Sequence, residues 1–507
     1  MRVLIYCQSY FISSFMPDFN KHPYLSALLF GAVCVFGFAP FYLFPIPIFA
    51  LAGLFYLWQK TKDAKSAAKL GFAFGLSYFI AGIYWIYISL HDVGGMPFWM
   101  AGFATFCLCA FLALFPAAVG YLSKRSPSVL IAAPLLWVLS EWVRDWIFTG
   151  FPWLAVGYSQ APFSPLAAIA PVLGVFGISL AVTASASLVL LAFNQVYRRL
   201  ALMSLIGLCL VSGALNLVSW VAPQGQPITV SLLQGNIPQD LKWTKEIIVQ
   251  TINQYVQMTA QSKSDLVILP ETALPVAIDT QQTNLKQDQV LAPFFEIAAN
   301  HHQSILVGTV ESEQENYYNS VLGIDEANVQ SYRKSHLVPF GEFIPFKNLI
   351  GWVYRDWLNM PLSDLSRGRK MQQPMTLAHQ KIALNICYED VFGEEIIRQL
   401  PQATMLVNVS NDAWYGHSIA AYQHLQFSQM RSLETGRMIL RATNTGATAI
   451  IGHHGELIAT LPHFTTAILN GTAQGYTGTT PYVRWGNWLI ISLLFIALIL
   501  LWGRKKK

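Results

Sequence analysis

The charges of this 507-residue chain are distributed too unevenly for a single water-soluble globule. Residues 1–220 hold 11 Lys/Arg and 5 Asp/Glu, whereas residues 221–484 hold 17 and 22. The whole chain is 54% hydrophobic and only 12% charged, against about 25% charged in an ordinary soluble domain. A lipid-embedded first part and a water-soluble second part follow, and disorder or a disulfide-stapled secreted module is excluded. The cations of residues 1–220 and of the final GRKKK are those of membrane flanks, so the net charge of +5 is no sign of nucleic-acid binding.

A bilayer core about 30 Å thick takes about 20 apolar helical residues to cross. Seven such segments precede the soluble part, near 24–39, 42–58, 70–90, 97–121, 128–148, 164–194 and 200–220, and an eighth follows at 486–503. Pro40, Pro45 and Pro47 divide the first run into a hairpin, which returns Lys60, Lys62, Lys65 and Lys69 to the side of Lys21. The excess of cations on cytoplasmic loops then places both termini inside and residues 221–484 outside, with Arg144 the one membrane-part cation on the outer face. Residues 1–15 resemble a surface or re-entrant leader more than a cleaved signal. GFAFG (71–75) has the small-residue spacing that lets helices approach closely. The expected domains are 1–220, 221–484 and 485–507.

Beyond Pro227 the pattern changes to short aliphatic runs alternating with helical stretches, which argues for a layered α/β domain. Reactive groups in such sheets gather past the carboxyl ends of strands. Three such ends are polar here: Glu271 in LPET, Cys387 in NICYED, and Asn411 with Asp412. Of six cysteines, only Cys387 lies among charged residues, where neighbouring acids would raise its pKa. A nucleophile in that setting needs a base and a balancing cation, roles that Glu271 and Lys334 can fill. The plainer reading makes Cys387 an inert core thiol and the other two surface charges. His301/His302 and His453/His454 lack partners at ligand spacing, and no phosphate-binding glycine loop is present, so neither metal nor cofactor is expected.

Six segments in order, QGNIPQDLKW (234–243), LVILPETALP (266–275), YYNSVLGID (317–325), YRKSHLVPFGEFIP (332–345), NICYED (385–390) and NVSNDAWYG (408–416), resemble those of the bacterial apolipoprotein N-acyltransferases. The resemblance runs essentially the whole chain. It implies a multi-pass α-helical membrane domain plus a nitrilase-like αββα sandwich with a catalytic Glu271, Lys334, Cys387 triad. Glu342, Glu389 and Tyr388 would support the triad, and Trp243 and Asn319 would line the pocket. Trp352, Tyr354, Trp357 and Leu358 belong to an aromatic loop, 346–361, read as a lid that meets lipid rather than a packed loop core. The implied reaction moves an acyl chain from a phospholipid, expected to be phosphatidylethanolamine, to the α-amine of a diacylglyceryl cysteine on a lipoprotein, through a Cys387 thioester. A monomer in the bacterial inner membrane, with its catalytic domain periplasmic, is the implied setting. A membrane-tethered amidase and a catalytically silent lipoprotein-binding scaffold are the competing readings.

Overall fold

The computed structural model describes residues 19–239, 242, 244–281, 285–326, 328–345 and 364–503. The leader, Trp243 and the 346–361 loop with Trp352, Tyr354, Trp357 and Leu358 lie outside the described residues.

Helices occupy all eight expected apolar segments: Pro23–Cys34, Ile46–Lys60, Ala64–Ile83, Phe98–Arg125, Val129–Trp146, Ala170–Ala192, Arg198–Leu215 and Trp488–Gly503. Among the described residues, four stretches are long and apolar enough to cross a membrane and three apolar helices are shorter. Their boundaries have local causes. Asp63 caps the third helix by accepting from the Ser66 N–H, and Gly174, at φ +63, kinks the sixth. The GFAFG glycines make a real helix contact: a Cβ on Gly71 would stand 2.3 Å from the Pro116 carbonyl oxygen, and one on Gly75 would stand 2.9 Å from the Ala113 Cα. Large apolar side chains such as Phe103, Leu114, Ile131, Met203, Leu210 and Ile499 point outward, as lipid-facing residues do.

The second part holds thirteen described strands. They are β1 (Val221–Gln234), β2 (Leu266–Ile268), β3 (Leu274–Asp279), β4 (Ser304–Glu313), β5 (Asn316–Ile324), β6 (Val329–Arg333), β7 (Met375–Leu377), β8 (Gln380–Ile386), β9 (Met405–Ser410), β10 (Ile439–Thr443), β11 (Ala449–Ile451), β12 (Leu457–Thr460) and β13 (Ala467–Gly478). One sheet runs β13-β1-β2-β4-β5-β6 with β3 beside β4, the other β12-β11-β10-β9-β8-β7. Val230, Leu232, Ile268 and Leu306 of the first face Leu384, Val407 and Leu440 of the second in one core. Helices Lys245–Gln261 and Ala292–His301 cover the first sheet, and helix Ala420–Thr435 packs over the second. The result is a four-layer αββα sandwich. The first strand begins at Val221 rather than at Ile228, because it pairs antiparallel with β13 along its whole length save a bulge at Gln224–Ile228.

Helix Ala420–Thr435 is buried almost throughout although its sequence is mostly polar. Burial without partners would be costly, and the membrane helices supply the partners. Gln423 Oε1 accepts from the indoles of Trp153 (2.7 Å) and Trp85 (3.2 Å), while its Nε2 donates to the Gly82 carbonyl (3.1 Å). Gln426 bridges the Ala39 N–H and the Ala161 carbonyl. Glu434 accepts from the Val175 N–H (2.9 Å), freed by the Gly174 kink, and pairs with Arg431.

The charges of helix Val129–Trp146 build the loop that follows it. Glu141 accepts from Trp137 and from the Val156 N–H, and Arg144 donates to the carbonyls of Phe151 and Trp153. Gln423→Leu leaves two buried indole donors and a carbonyl unpaired. It is expected to cost about 2–5 kcal/mol, read as a lower unfolding midpoint of the detergent-solubilised protein.

Candidate active site

Glu271, Lys334 and Cys387 meet at one edge of the sandwich. Glu271 stands three residues past β2, Lys334 follows β6 directly, and Cys387 follows β8. The strand order brings the three ends together: β8 and β9 run parallel in one sheet and β2 and β4 in the other, while β5 returns antiparallel to β4 and β6 antiparallel to β5, so that β6 ends at the same edge as β2. All three residues are buried.

The Lys334 ammonium donates to Glu342 Oε1 (2.9 Å) and to Glu271 Oε1 (3.4 Å). Asn319 on β5 binds the same two oxygens through its Nδ2, at 2.7 Å to Glu271 and 2.8 Å to Glu342. The other oxygen of Glu271 accepts from the Asn411 N–H (2.9 Å), and that of Glu342 from the Val338 N–H (2.8 Å). Burial works against a charge on Lys334, but Glu342 and Glu271 outweigh it and hold the group above the usual lysine range. Glu342 thus holds the lysine, and Asn319, expected from the sequence as a pocket wall, bridges the two carboxylates.

Cys387 opens a short turn, Cys387–Val391, with φ +52. This left-handed conformation costs a non-glycine residue on the order of 1 kcal/mol and must be held. Asn408 Nδ2 (3.3 Å) and His424 Nε2 (3.2 Å) both reach the Cys387 carbonyl. Burial first, then the Glu271 charge, pushes the thiol pKa up, against Lys334 and a hydrogen bond with Ser410. A resting ammonium–carboxylate pair beside a neutral thiol follows.

The sequence reading held the acids next to the thiol responsible for raising it; the structure corrects that, because both turn away. Glu389 Oε1 accepts from the N–H groups of Ser335 (2.7 Å) and His336 (3.1 Å) and its Oε2 from Ile386 N–H (2.8 Å) and Tyr332 OH (3.0 Å). It thereby ties the lysine's strand end to the cysteine's. Asp390 enters a buried network that sequence reasoning missed: His424 lies between Asp390 and Asp412, each at 2.9 Å, and Arg441 pairs with both acids. Of its members, Asp412, as a polar strand end, and Asp390, as an acid beside the thiol, stood out in the sequence; His424 and Arg441 did not. Tyr388 lies at the domain seam, its OH donating to the Gly150 carbonyl (3.0 Å) and its ring edge-on to His336 and Phe392.

Residues 30–188 match the apolipoprotein N-acyltransferase N-terminal domain and residues 229–482 match the carbon-nitrogen hydrolase family. An apolipoprotein N-acyltransferase of Nitrosomonas europaea is 49% identical over 485 residues, 94% of this chain and 96% of its own. This chain belongs to the apolipoprotein N-acyltransferase family. A second apolipoprotein N-acyltransferase, of Chromobacterium violaceum, is 44% identical over 95% of this chain and 94% of its own. Among solved structures, a CN-hydrolase superfamily protein from Xanthomonas campestris covers 54% of this chain and 97% of its own, with 17% identity and a TM-score of 0.37.

In this apolipoprotein N-acyltransferase family member the charge network beneath Cys387 has a pH signature. Burial and Arg441 oppose protonation of His424, but Asp390 and Asp412 prevail and raise it from 6.5 to about 9. A raised histidine stabilises the fold fully below about pH 6.5 and loses that contribution as pH climbs through about 9. The unfolding midpoint of the wild type is expected to fall across this window relative to His424→Gln, with the difference between the two measured by thermal unfolding from pH 6 to 10.

Proposed function

We propose that this protein transfers a fatty acyl group from a membrane glycerophospholipid, with phosphatidylethanolamine the expected donor, to the α-amine of a diacylglyceryl-modified N-terminal cysteine on lipoproteins. The observation that carries the reading is the convergence of Glu271, Lys334 and Cys387 in a domain clamped through a buried polar helix onto an apolar helical bundle. A thiol near a base and a cation suits acyl transfer, and the bundle suits two substrates that are anchored in lipid.

In the first half, Glu271 takes the Cys387 proton as the sulfur attacks the sn-1 ester carbonyl. The oxyanion is held by Lys334 and by a backbone N–H of the turn near Tyr388. The carbon–oxygen bond breaks, Glu271 returns its proton to the departing alkoxide, and lysophospholipid leaves a thioester on Cys387. In the second half the lipoprotein α-amine, with a pKa near 8, attacks that carbonyl. Glu271 accepts the amine proton, the carbon–sulfur bond breaks, and the sulfur regains a proton as the amide forms. A thiol held neutral at rest suits this order, since a base must remove the proton at the moment of attack.

Helix polarity supports the topology. Gly82 and Met96, at the ends of helices Ala64–Ile83 and Phe98–Arg125 nearest the catalytic domain, meet Gln423 and Ile344. Lys65 and Lys69, and Lys124 and Arg125, stand at the opposite ends. With the cations on the cytoplasmic side, this polarity supports a periplasmic catalytic domain and cytoplasmic termini. The chain acts as a monomer in the inner membrane, without a cofactor. Asn319 serves as a pocket wall; the aromatic loop of Trp352, Tyr354, Trp357 and Leu358, the lid of this reading, and Trp243 lie outside the described residues.

Purified protein incubated with phosphatidylethanolamine is expected to gain one acyl mass on Cys387, which a diacylglyceryl peptide then removes as its N-acyl product. Cys387→Ala is expected to give no adduct, and Glu342→Ala to retain the fold, at a lowered unfolding midpoint, while losing most turnover. Transfer to the peptide by Cys387→Ala would overturn the mechanism.

A further inference from the structure

The described site holds a second buried lysine that the acyl-transfer steps leave without a task. Lys242 is 3% exposed. Its segment crosses the carboxyl ends of the strands: the N–H groups of Asn236 and Ile237 donate to the carbonyl and side-chain oxygens of Asn444, and Gln239 Oε1 accepts from Asn411 Nδ2 (2.6 Å). Asn411 is the residue whose N–H holds the Glu271 carboxylate. The Lys242 ammonium therefore sits in the wall of the site.

An ammonium carries three N–H donors, and burying one without acceptors is costly. Among the described residues, the acceptor for Lys242 is the Glu271 main-chain carbonyl, at 3.5 Å. Lys334, by contrast, is held by two carboxylates. The two lysines flank Glu271 at opposite ends, Lys334 at its carboxylate and Lys242 at its carbonyl. Burial, partly offset by Glu271, lowers Lys242 from 10.5 to about 8, so most of it stays cationic at neutral pH.

Resting on the acyl-transfer reading above, we infer that Lys242 binds the phosphodiester of the acyl-donor phospholipid, and so selects phosphate-bearing donors over neutral glycerides. The phosphodiester is the anion that accompanies every glycerophospholipid ester, one glycerol skeleton away from the carbonyl that Cys387 attacks. With the ester at Lys334 and the thiol, the phosphate falls toward the other end of Glu271, where an under-partnered buried cation waits. Charge-assisted hydrogen bonds of this kind are the stronger ones.

The test compares two donors with the same sn-1 ester, dipalmitoyl phosphatidylethanolamine and dipalmitoylglycerol, in detergent micelles and phosphate-free buffer. The rate of acyl-adduct formation on the full-length protein is followed by intact mass. The wild type is expected to react about 10- to 100-fold faster with the phospholipid, and Lys242→Gln to bring the ratio of the two rates close to one. Equal wild-type rates would overturn the assignment, as would a Lys242→Gln protein that keeps the wild-type ratio. Should Lys242→Gln fail to fold, Lys242→Met and Lys242→Arg are compared instead: loss of the ratio in the former and its retention in the latter are expected, and a wild-type ratio in Lys242→Met overturns the assignment. A wild type that forms no adduct with either donor would instead sink the thioester reading on which this one rests.

Discussion

A buried ammonium shared by two carboxylates is the constraint around which the catalytic domain is arranged. Lys334 is out of water, so its charge survives only because Glu342 and Glu271 stand against it. Each carboxylate must then be fixed from its far side, which the Asn411 and Val338 N–H groups do, while Asn319 keeps the two acids in register. Those contacts draw on four separate stretches of chain, and Glu389 adds the cysteine turn by fastening residues 335 and 336 to Ile386. The Cys387 sulfur thus inherits its position from a charge-balance problem next door.

The helix Ala420–Thr435 carries that order into the membrane domain. One of its faces gives His424 and Ser428 to the acids beneath Cys387, and another gives Gln423, Gln426, Arg431 and Glu434 to the membrane side. A polar helix between two bodies can be buried without penalty when both neighbours present hydrogen-bonding groups. Loop residues 147–156, shaped by Glu141 and Arg144, complete the seam by receiving Tyr388 at Gly150 and His336 at Thr149. The thiol, the seam and the bundle form one connected hydrogen-bonded structure.

Much of this was legible beforehand, for different reasons in different places. The eight apolar segments announce themselves because a lipid environment tolerates few alternatives to a helix. Glu271, Cys387 and Asp412 stand out as polar residues closing aliphatic runs, and the resemblance to the N-acyltransferases places Lys334, Glu342, Glu389 and Asn319 around them. The stretch 422–438 also reads as a helix, but nothing in it tells that Gln423, Gln426, Arg431 and Glu434 are buried. Their partners, Ala39, Trp85, Trp153, Tyr158 and Val175, lie hundreds of residues away. No periodicity within a short window encodes such a contact. Strands β3, β6, β7, β10 and β12 escape for a related cause: each is short, and each is defined by the neighbour it pairs with.

What the sequence determined alone is the division into a lipid-embedded and a water-soluble part, the alternation that makes a layered α/β domain, and the residue types available for chemistry at three strand ends. These depend on composition and on short-range periodicity, which any window of the chain carries. What only the tertiary structure decided is which charges face one another: that Glu389 and Asp390 turn from the thiol, that His424 reaches the Cys387 carbonyl, and that Lys242 is buried beside Glu271 with little to hold it. Electrostatic and hydrogen-bond energies depend on distance and direction in space, and the folding of two sheets against each other and onto a helical bundle sets both.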